Sequence, residues 1–240
     1  MGGILCYTCT MNEDIGTLYI VATPIGNLED ITMRAVRILA EVDTILCEDT
    51  RTTRVLLNRY DIKTKCISYN AHSTTNKSNQ ILELLSDGKN LALVSDAGTP
   101  CISDPGVLIV SQVKTEFGPN AKVVPIPGAS ALVTALSACG VSVADFTFLG
   151  FLPHKKGRET LFKEIAASER PMVFYESSHR ILKALESLHK ECSHKKITVG
   201  RELTKIYEEF LTGTPAELLD ILTEDKNKQR GEFVVIVAPR

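Results

Sequence analysis

Short apolar runs that break abruptly into glycine, proline and small polar residues recur along this chain. The sharpest is Leu91-Ala-Leu-Val94, which runs into Ser-Asp-Ala-Gly-Thr-Pro-Cys-Ile-Ser-Asp-Pro-Gly106. Four apolar residues in a row suit a strand buried on both faces. Gly98 and Pro100 predict a tight turn, and a glycine there lets another backbone or a ligand approach closely. Asp104-Pro105 reads as an N-cap followed by a proline in the first helical turn. In an open parallel sheet, ligands bind beyond the carboxyl ends of the strands, where such strand–loop–helix units turn.

The same alternation runs through the first half. Leu18–Thr23 reads as a strand, Pro24-Ile25-Gly26-Asn27 as a turn, and Asp30-Ile31-Thr32 as a helix start with Asp30 as cap. Met33, Val36, Leu39 and Ala40 keep helical spacing. Strands are expected at Thr44–Cys47, Cys66–Tyr69 and Lys122–Ile126, with helices over Val55–Arg59 and around Ile81–Leu85. A polar loop passes through His72, and an Ala- and Leu-rich helix follows Pro127-Gly128-Ala129-Ser130. Strands alternating with helices predict a doubly wound parallel sheet.

The texture changes near Asp145. Strands are expected at Phe146–Leu149, Met172–Tyr175, Ile197–Gly200, Glu208–Thr212 and Phe233–Ala238. The third and fourth lie close enough to pair antiparallel. Pro153-His-Lys-Lys-Gly-Arg158 forms a basic loop, and Thr214-Pro-Ala-Glu217 is a capping box with proline at the first helical position. The predicted architecture is α/β in two domains. An extension at 1–16 precedes a doubly wound domain at 17–131 and a smaller α+β domain with a mixed sheet at 132–240.

Composition narrows the class. In 240 residues, 44% hydrophobic and 23% charged describe an ordinary globular chain, and a net charge of −2 supplies no overall field for nucleic acid. RNA binding would need a local basic patch. No apolar run is long enough for a membrane span, and no signal peptide precedes the first strand. Seven scattered cysteines then read as reduced thiols in a cytoplasm. Cys6 and Cys9 have C-x-x-C spacing without a second ligand pair, so no metal site is expected. Met11 is a possible internal start.

Small or charged residues cluster at Pro24–Asn27, Glu48–Arg51, Ala97–Ile102, Pro127–Ala131, Glu176–Arg180 and Arg201–Lys205, each following an expected strand. Gathered on a common edge, they favour a ligand cleft between two domains. Neither G-x-x-x-x-G-K-S/T nor G-x-G-x-x-G is present, and neither are H-E-x-x-H and G-x-S-x-G. A ligand held by backbone groups and small side chains fits better than one held through its phosphates.

TPIGNLEDIT (Thr23–Thr32), CEDTRTT (Cys47–Thr53), VSDAGTPCISDPG (Val94–Gly106), PIPGASA (Pro125–Ala131), FYESSHR (Phe174–Arg180) and RELTKIYEE (Arg201–Glu209) together resemble one family. This is the ribosomal RNA small subunit methyltransferase I family of the tetrapyrrole methylase superfamily. The resemblance covers Thr17–Val237. It implies two α/β domains with S-adenosylmethionine bound in the cleft between them, usually a homodimer, and 2′-O-methylation of a cytidine ribose in small-subunit ribosomal RNA. It places Ile25, Gly26, Ala97, Gly98, Thr99, Ile102, Ser130, Ala131, Glu176 and the backbone of Leu203 against the cofactor. Asp96 either holds a ribose hydroxyl or serves the turn. Glu48 matches a position that handles protons in tetrapyrrole-methylating relatives, or pairs with Arg51. The relatives continue into a small helical extension linked to RNA contact; this sequence ends at Arg240, so the extension is absent or the chain is cut.

A hydroxyl acceptor is a poor nucleophile until it loses its proton, so a base or a pKa-lowering lysine is useful. Candidates are Glu48, Asp49, Glu176, Glu202 and Lys205. On an extended segment Arg201, Leu203 and Lys205 share one face, so Lys205 would point into the cofactor cleft, or else pair with Glu208 or Glu209. RNA phosphates are expected at Lys155, Lys156 and Arg158, with Arg51, Arg54 and Arg180 nearer the cleft. The alternatives are methylation of a tetrapyrrole carbon and a non-catalytic S-adenosylmethionine-binding protein. The wording of TPIGN, SDAGTP and RELTK favours the RNA enzyme over its porphyrin relatives, and the charged strand ends argue against mere binding.

Overall fold

The computed structural model describes residues 15–70, 75–104 and 106–239. The expectations for Cys6, Cys9, Met11, His72, Pro105 and Arg240 lie outside the described residues. The chain forms two compact units. One holds the chain up to Thr23 and Ile31–Gly128; the other holds Pro24–Asp30 and the chain from Ala129 onward.

The first unit alternates as expected: β1 (Thr17–Val21), α1 (Met33–Glu41), β2 (Thr44–Cys47), α2 (Thr50–Arg59), β3 (Cys66–Ser68), α3 (Thr75–Ser86), β4 (Leu91–Leu93), α4 (Val107–Phe117) and β5 (Lys122–Ile126). The sheet order is β3-β2-β4-β1-β5, all parallel. Central β4 is buried throughout, which its unbroken apolar sequence predicts. Leu18, Leu46, Leu91 and Leu93 pack with Ile81, Leu85, Ile109 and Val113 of α3 and α4.

Three local expectations change. Thr32, not Asp30, caps α1: its extended backbone brings its hydroxyl to the Ala35 N–H, whereas Asp30 ends a preceding 3-10 turn. The buried stripe of α1 is Ala35, Ile38 and Leu39, which leaves Met33 91% exposed and Ala40 also outside. α2 starts at Thr50 rather than Val55, because Asp49 accepts the Arg51 N–H and nucleates the helix five residues early.

The second unit contains α5 (Ala131–Ala138), β6 (Thr147–Phe151), α6 (Arg158–Ala167), β7 (Met172–Ser177), α7 (Ile181–Cys192), β8 (Ile197–Arg201), β9 (Glu209–Gly213), α8 (Pro215–Glu224) and β10 (Glu232–Val237). Its sheet order is β6-β7-β10-β8-β9; only β6 and β7 run parallel, so the sheet is mixed, as expected. Alternate residues of β10 enter two cores. Phe233, Val235 and Val237 pack with the helices carrying Phe162, Leu185 and Leu218, while Val234 and Ile236 pack with Ala135 and Leu136 of α5. Ile25 joins the second core, which explains why its loop belongs to this unit. The capping box forms between Thr214 and Glu217. Among the described residues no helix is long and apolar enough to cross a membrane.

Candidate active site

Because every strand of the first sheet is parallel, the loops after β2, β4 and β5 leave from one edge. The loop after β4 is tightly built. Thr23 and Gly98 exchange backbone hydrogen bonds at 2.9 and 3.0 Å, and the Thr23 hydroxyl donates to Ser95 O at 3.1 Å. Gly98 has φ +82°, a region glycine enters without cost, while Cys101 and Ser103 enter it at +70° and +64°. Asp104 offsets this strain by accepting the Cys101 and Gly106 N–H groups at 2.8 and 2.7 Å. It therefore closes the turn instead of capping α4, whose N-cap is Gly106 without a side-chain bond. The outcome is a fixed loop presenting exposed Asp96, Ala97 and Ile102 around buried Gly98 and half-buried Thr99.

The ends of β2 and β4 are tied to each other. Asp96 Oδ1 accepts the Asp49 N–H at 3.1 Å and so joins the loop after β4 to the loop after β2. The Glu48 carboxylate accepts the Asp96 N–H in return. Burial of Glu48, together with the nearby charges of Asp104 and Asp96, holds its pKa above the ordinary glutamate value. Asp49 is the opposite case: bonds from Arg51 pull it down to about 2. Arg51 pairs with Asp49 at 2.6 Å, so the alternative ion pair of Glu48 with Arg51 is replaced.

In the second unit β7 and β8 both oppose β10, so their carboxyl ends also share an edge. Glu176 has no exposed side-chain surface. Its Oε1 accepts the Ser177 N–H and Arg180 Nε, both at 2.8 Å, and Arg158 lies 3.7 Å from Oε2. Arg158 and Arg180, expected at the RNA, are thus largely buried around Glu176, whereas Arg54, Lys155 and Lys156 stand exposed. Ser130 sits at the N-cap of α5, just before Ala131. Its hydroxyl bonds that of Tyr175, which also accepts the Leu132 N–H.

Residues 202–207 are not extended. Glu202 and Thr204 take φ +49° and +66°, folding the backbone into a turn closed by Lys205 N–H to Glu202 O. The strand alternation that would set Lys205 on one face with Leu203 is therefore missing. Lys205 instead reaches Glu202 and Glu232 at 2.9 and 2.8 Å, not Glu208 or Glu209. Burial would lower its pKa, but these carboxylates outweigh burial and leave the ammonium stabilised. For Glu202 burial opposes and the Lys205 and Glu232 N–H bonds win, lowering its pKa. The Lys205 stem lies under Gly26, where an added Cβ would come within 2.5 Å of Cγ. Leu203 is buried in the core with Ile25.

Two residues outside the candidate set complete this edge. Arg201 is 7% exposed and donates to the backbone carbonyls of Arg230, Tyr207 and Asn227. The available signal was a charge ending the apolar strand ITVGR. Glu232 receives Lys205 only through strand pairing, which leaves no mark in sequence.

Residues 17–219 match the family described as Tetrapyrrole (Corrin/Porphyrin) Methylases. A protein of Halalkalibacterium halodurans named ribosomal RNA small subunit methyltransferase I is 47% identical over 94% of this chain and 76% of its own length. A Thermotoga maritima protein of the same name is 42% identical over 93% of this chain and 99% of its own. Among solved structures, uroporphyrin-III C-methyltransferase from Thermus thermophilus complexed with S-adenosylhomocysteine has a TM-score of 0.64 at 15% identity, covering 93% of this chain and 97% of that one. The alternating first sheet, the mixed second sheet and the identity with these relatives converge: the chain belongs to the tetrapyrrole methylase family, in the branch of the ribosomal RNA small subunit methyltransferase I proteins.

Proposed function

We propose that this methyltransferase carries the methyl group of S-adenosylmethionine to the 2′-hydroxyl of a cytidine ribose in small-subunit ribosomal RNA. The relatives' name supports the RNA substrate, and the solved neighbour with S-adenosylhomocysteine supports the cofactor. The same reading makes it a cytoplasmic homodimer acting on the 30S subunit or its RNA.

One observation carries the chemistry. Of the four candidate carboxylates, only Glu48 is both partly accessible and held above its ordinary pKa. Asp49 is held low by Arg51, Glu176 is enclosed by two guanidiniums, and Glu202 is committed to Lys205. A carboxylate that holds protons more tightly is a stronger base, so Glu48 is the group assigned to take the 2′-hydroxyl proton. Bound S-adenosylmethionine supplies an electrophilic methyl on a sulfonium. The first-unit loop suits that ligand, since Ala97, Gly98 and Thr99 offer close-approach backbone and the acidic edge of Glu48, Asp96 and Asp104 favours a cation. On this reading Ile25, Gly26, Ile102, Ser130, Ala131 and Leu203 contribute further contacts. Lys205 is assigned to the target phosphate or the developing alkoxide.

Labelled S-adenosylmethionine should transfer its methyl to small subunits that lack the modification, and not to uroporphyrinogen; the reverse outcome would make the protein a tetrapyrrole methylase, and transfer to neither a non-catalytic binder. Cofactor placement is tested at Ala97, because a valine at Gly98 would be strained by its positive φ whatever sits nearby. Ala97→Phe should lower S-adenosylmethionine affinity at least ~10-fold in calorimetry with the melting temperature unchanged, a cost of about 1.4 kcal/mol. Unaltered affinity would remove the cofactor from this loop. Lys205→Met should keep cofactor affinity and lose most single-turnover methylation; a near-normal rate would leave Lys205 only its bonds to Glu202 and Glu232.

A further inference from the structure

We infer that Glu176 is a positioning residue: through Arg158 and Arg180 it fixes the basic segment 153–157 as an edge that grips phosphates of the RNA. This rests on the RNA reading above.

The two ends of the segment converge on one carboxylate. At its start, Arg180 Nη1 donates to Leu152 O at 2.9 Å while its Nε holds Glu176 Oε1. At its end, Arg158 faces Glu176 Oε2 at 3.7 Å, donates to Pro153 O at 3.2 Å and lies over the Phe162 ring. Between them, the Arg158 N–H closes a turn on Lys155 O, and Gly157 takes φ +83°, which carries the chain into α6. His154, Lys155 and Lys156 are exposed on this frame, and neither ammonium forms an ion pair with a described residue.

A buried carboxylate that faces two guanidiniums is poor evidence of a stabilising device, because apolar residues of similar size would serve a core as well. Glu176 Oε2 is moreover buried without a hydrogen-bond partner. Such a cluster keeps its cost where geometry matters more than stability. Here the geometry it sets is the spacing of two free lysines in a chain of net charge −2, which otherwise offers RNA no general attraction. Phosphate contacts of this kind fix register on RNA without reading sequence.

The test measures affinity for a small-subunit ribosomal RNA fragment across a salt series, and S-adenosylmethionine affinity in parallel, for the full chain. The Lys155→Met/Lys156→Met double variant should bind RNA at least ~10-fold more weakly and flatten the log-affinity against log-salt slope by about 1.5, the worth of two phosphates. Glu176→Gln should reproduce both changes. In the Glu176→Gln background the lysine changes should add less than about twofold, since residues acting through one element are not additive. Fully additive losses, or a loss of cofactor affinity with RNA affinity intact, would overturn the assignment. If Glu176→Gln does not unfold cooperatively, Arg180→Lys, which keeps the charge but loses one of its two bonds, carries the same expectations. A wild-type protein without salt-dependent RNA affinity would overturn the RNA reading itself.

Discussion

Glu48→Gln should lose about 10²- to 10⁴-fold in single-turnover methylation, the range that a positioned base contributes. S-adenosylmethionine affinity should change little, because the amide still accepts the Asp96 N–H. The pH profile gives the second readout. Wild-type rate should rise with pH through the raised Glu48 pKa, since only the ionised carboxylate accepts a proton, and the variant should lose that limb. Stability moves the other way. A group whose folded pKa lies above its unfolded value contributes stability at low pH that is lost as pH rises through the folded pKa. Above that folded pKa the ionised Glu48 is therefore a burden on the fold, imposed by burial and by Asp104 and Asp96. Glu48→Gln should unfold at slightly higher denaturant than wild type. A slower and at the same time more stable variant is the mark of a site that trades stability for function. An unchanged rate would withdraw Glu48 from the proton transfer.

Arg201→Met should cost about 3 kcal/mol, read as a lower denaturant midpoint at unchanged slope. The guanidinium satisfies the carbonyls of Arg230, Tyr207 and Asn227 from a position that is itself nearly buried. Methionine fills much of the volume but donates nothing, so the damage is polar rather than a cavity. These bonds also hold the turn in which Glu202 and Thr204 carry positive φ and Lys205 reaches Glu232. Strained backbone persists only where its surroundings over-determine it. Methylation should thus fall further than stability alone explains, at temperatures where the variant is fully folded. A destabilisation below about 0.5 kcal/mol would show that water replaces the guanidinium at all three carbonyls.

The alternation of strands and helices, the both-face burial of Leu91–Leu93 and the capping box at Thr214 were legible in sequence. Periodicity and cap chemistry are local, and burial of an unbroken apolar run leaves little choice of partner. Helix starts were less legible. Thr32 and Asp49 cap where Asp30 and Val55 were expected to begin, because several cap-competent residues stood together and backbone angles chose among them. The motif strings marked which loops carry the site, yet only tertiary structure decided what each charge does there. Lys205 meets Glu232 across 27 positions, and Arg180 meets Leu152 across 28, through strand pairing that one-dimensional spacing does not encode. Left-handed angles at Glu202 and Thr204 turned a segment that reads as extended into a closed turn. Glu48 and Asp49 are adjacent in sequence and yet pushed to opposite sides of the usual carboxylate range, one by burial and acidic neighbours, the other by Arg51. Sequence names a titratable group; its surroundings in three dimensions set the free energy of its charge.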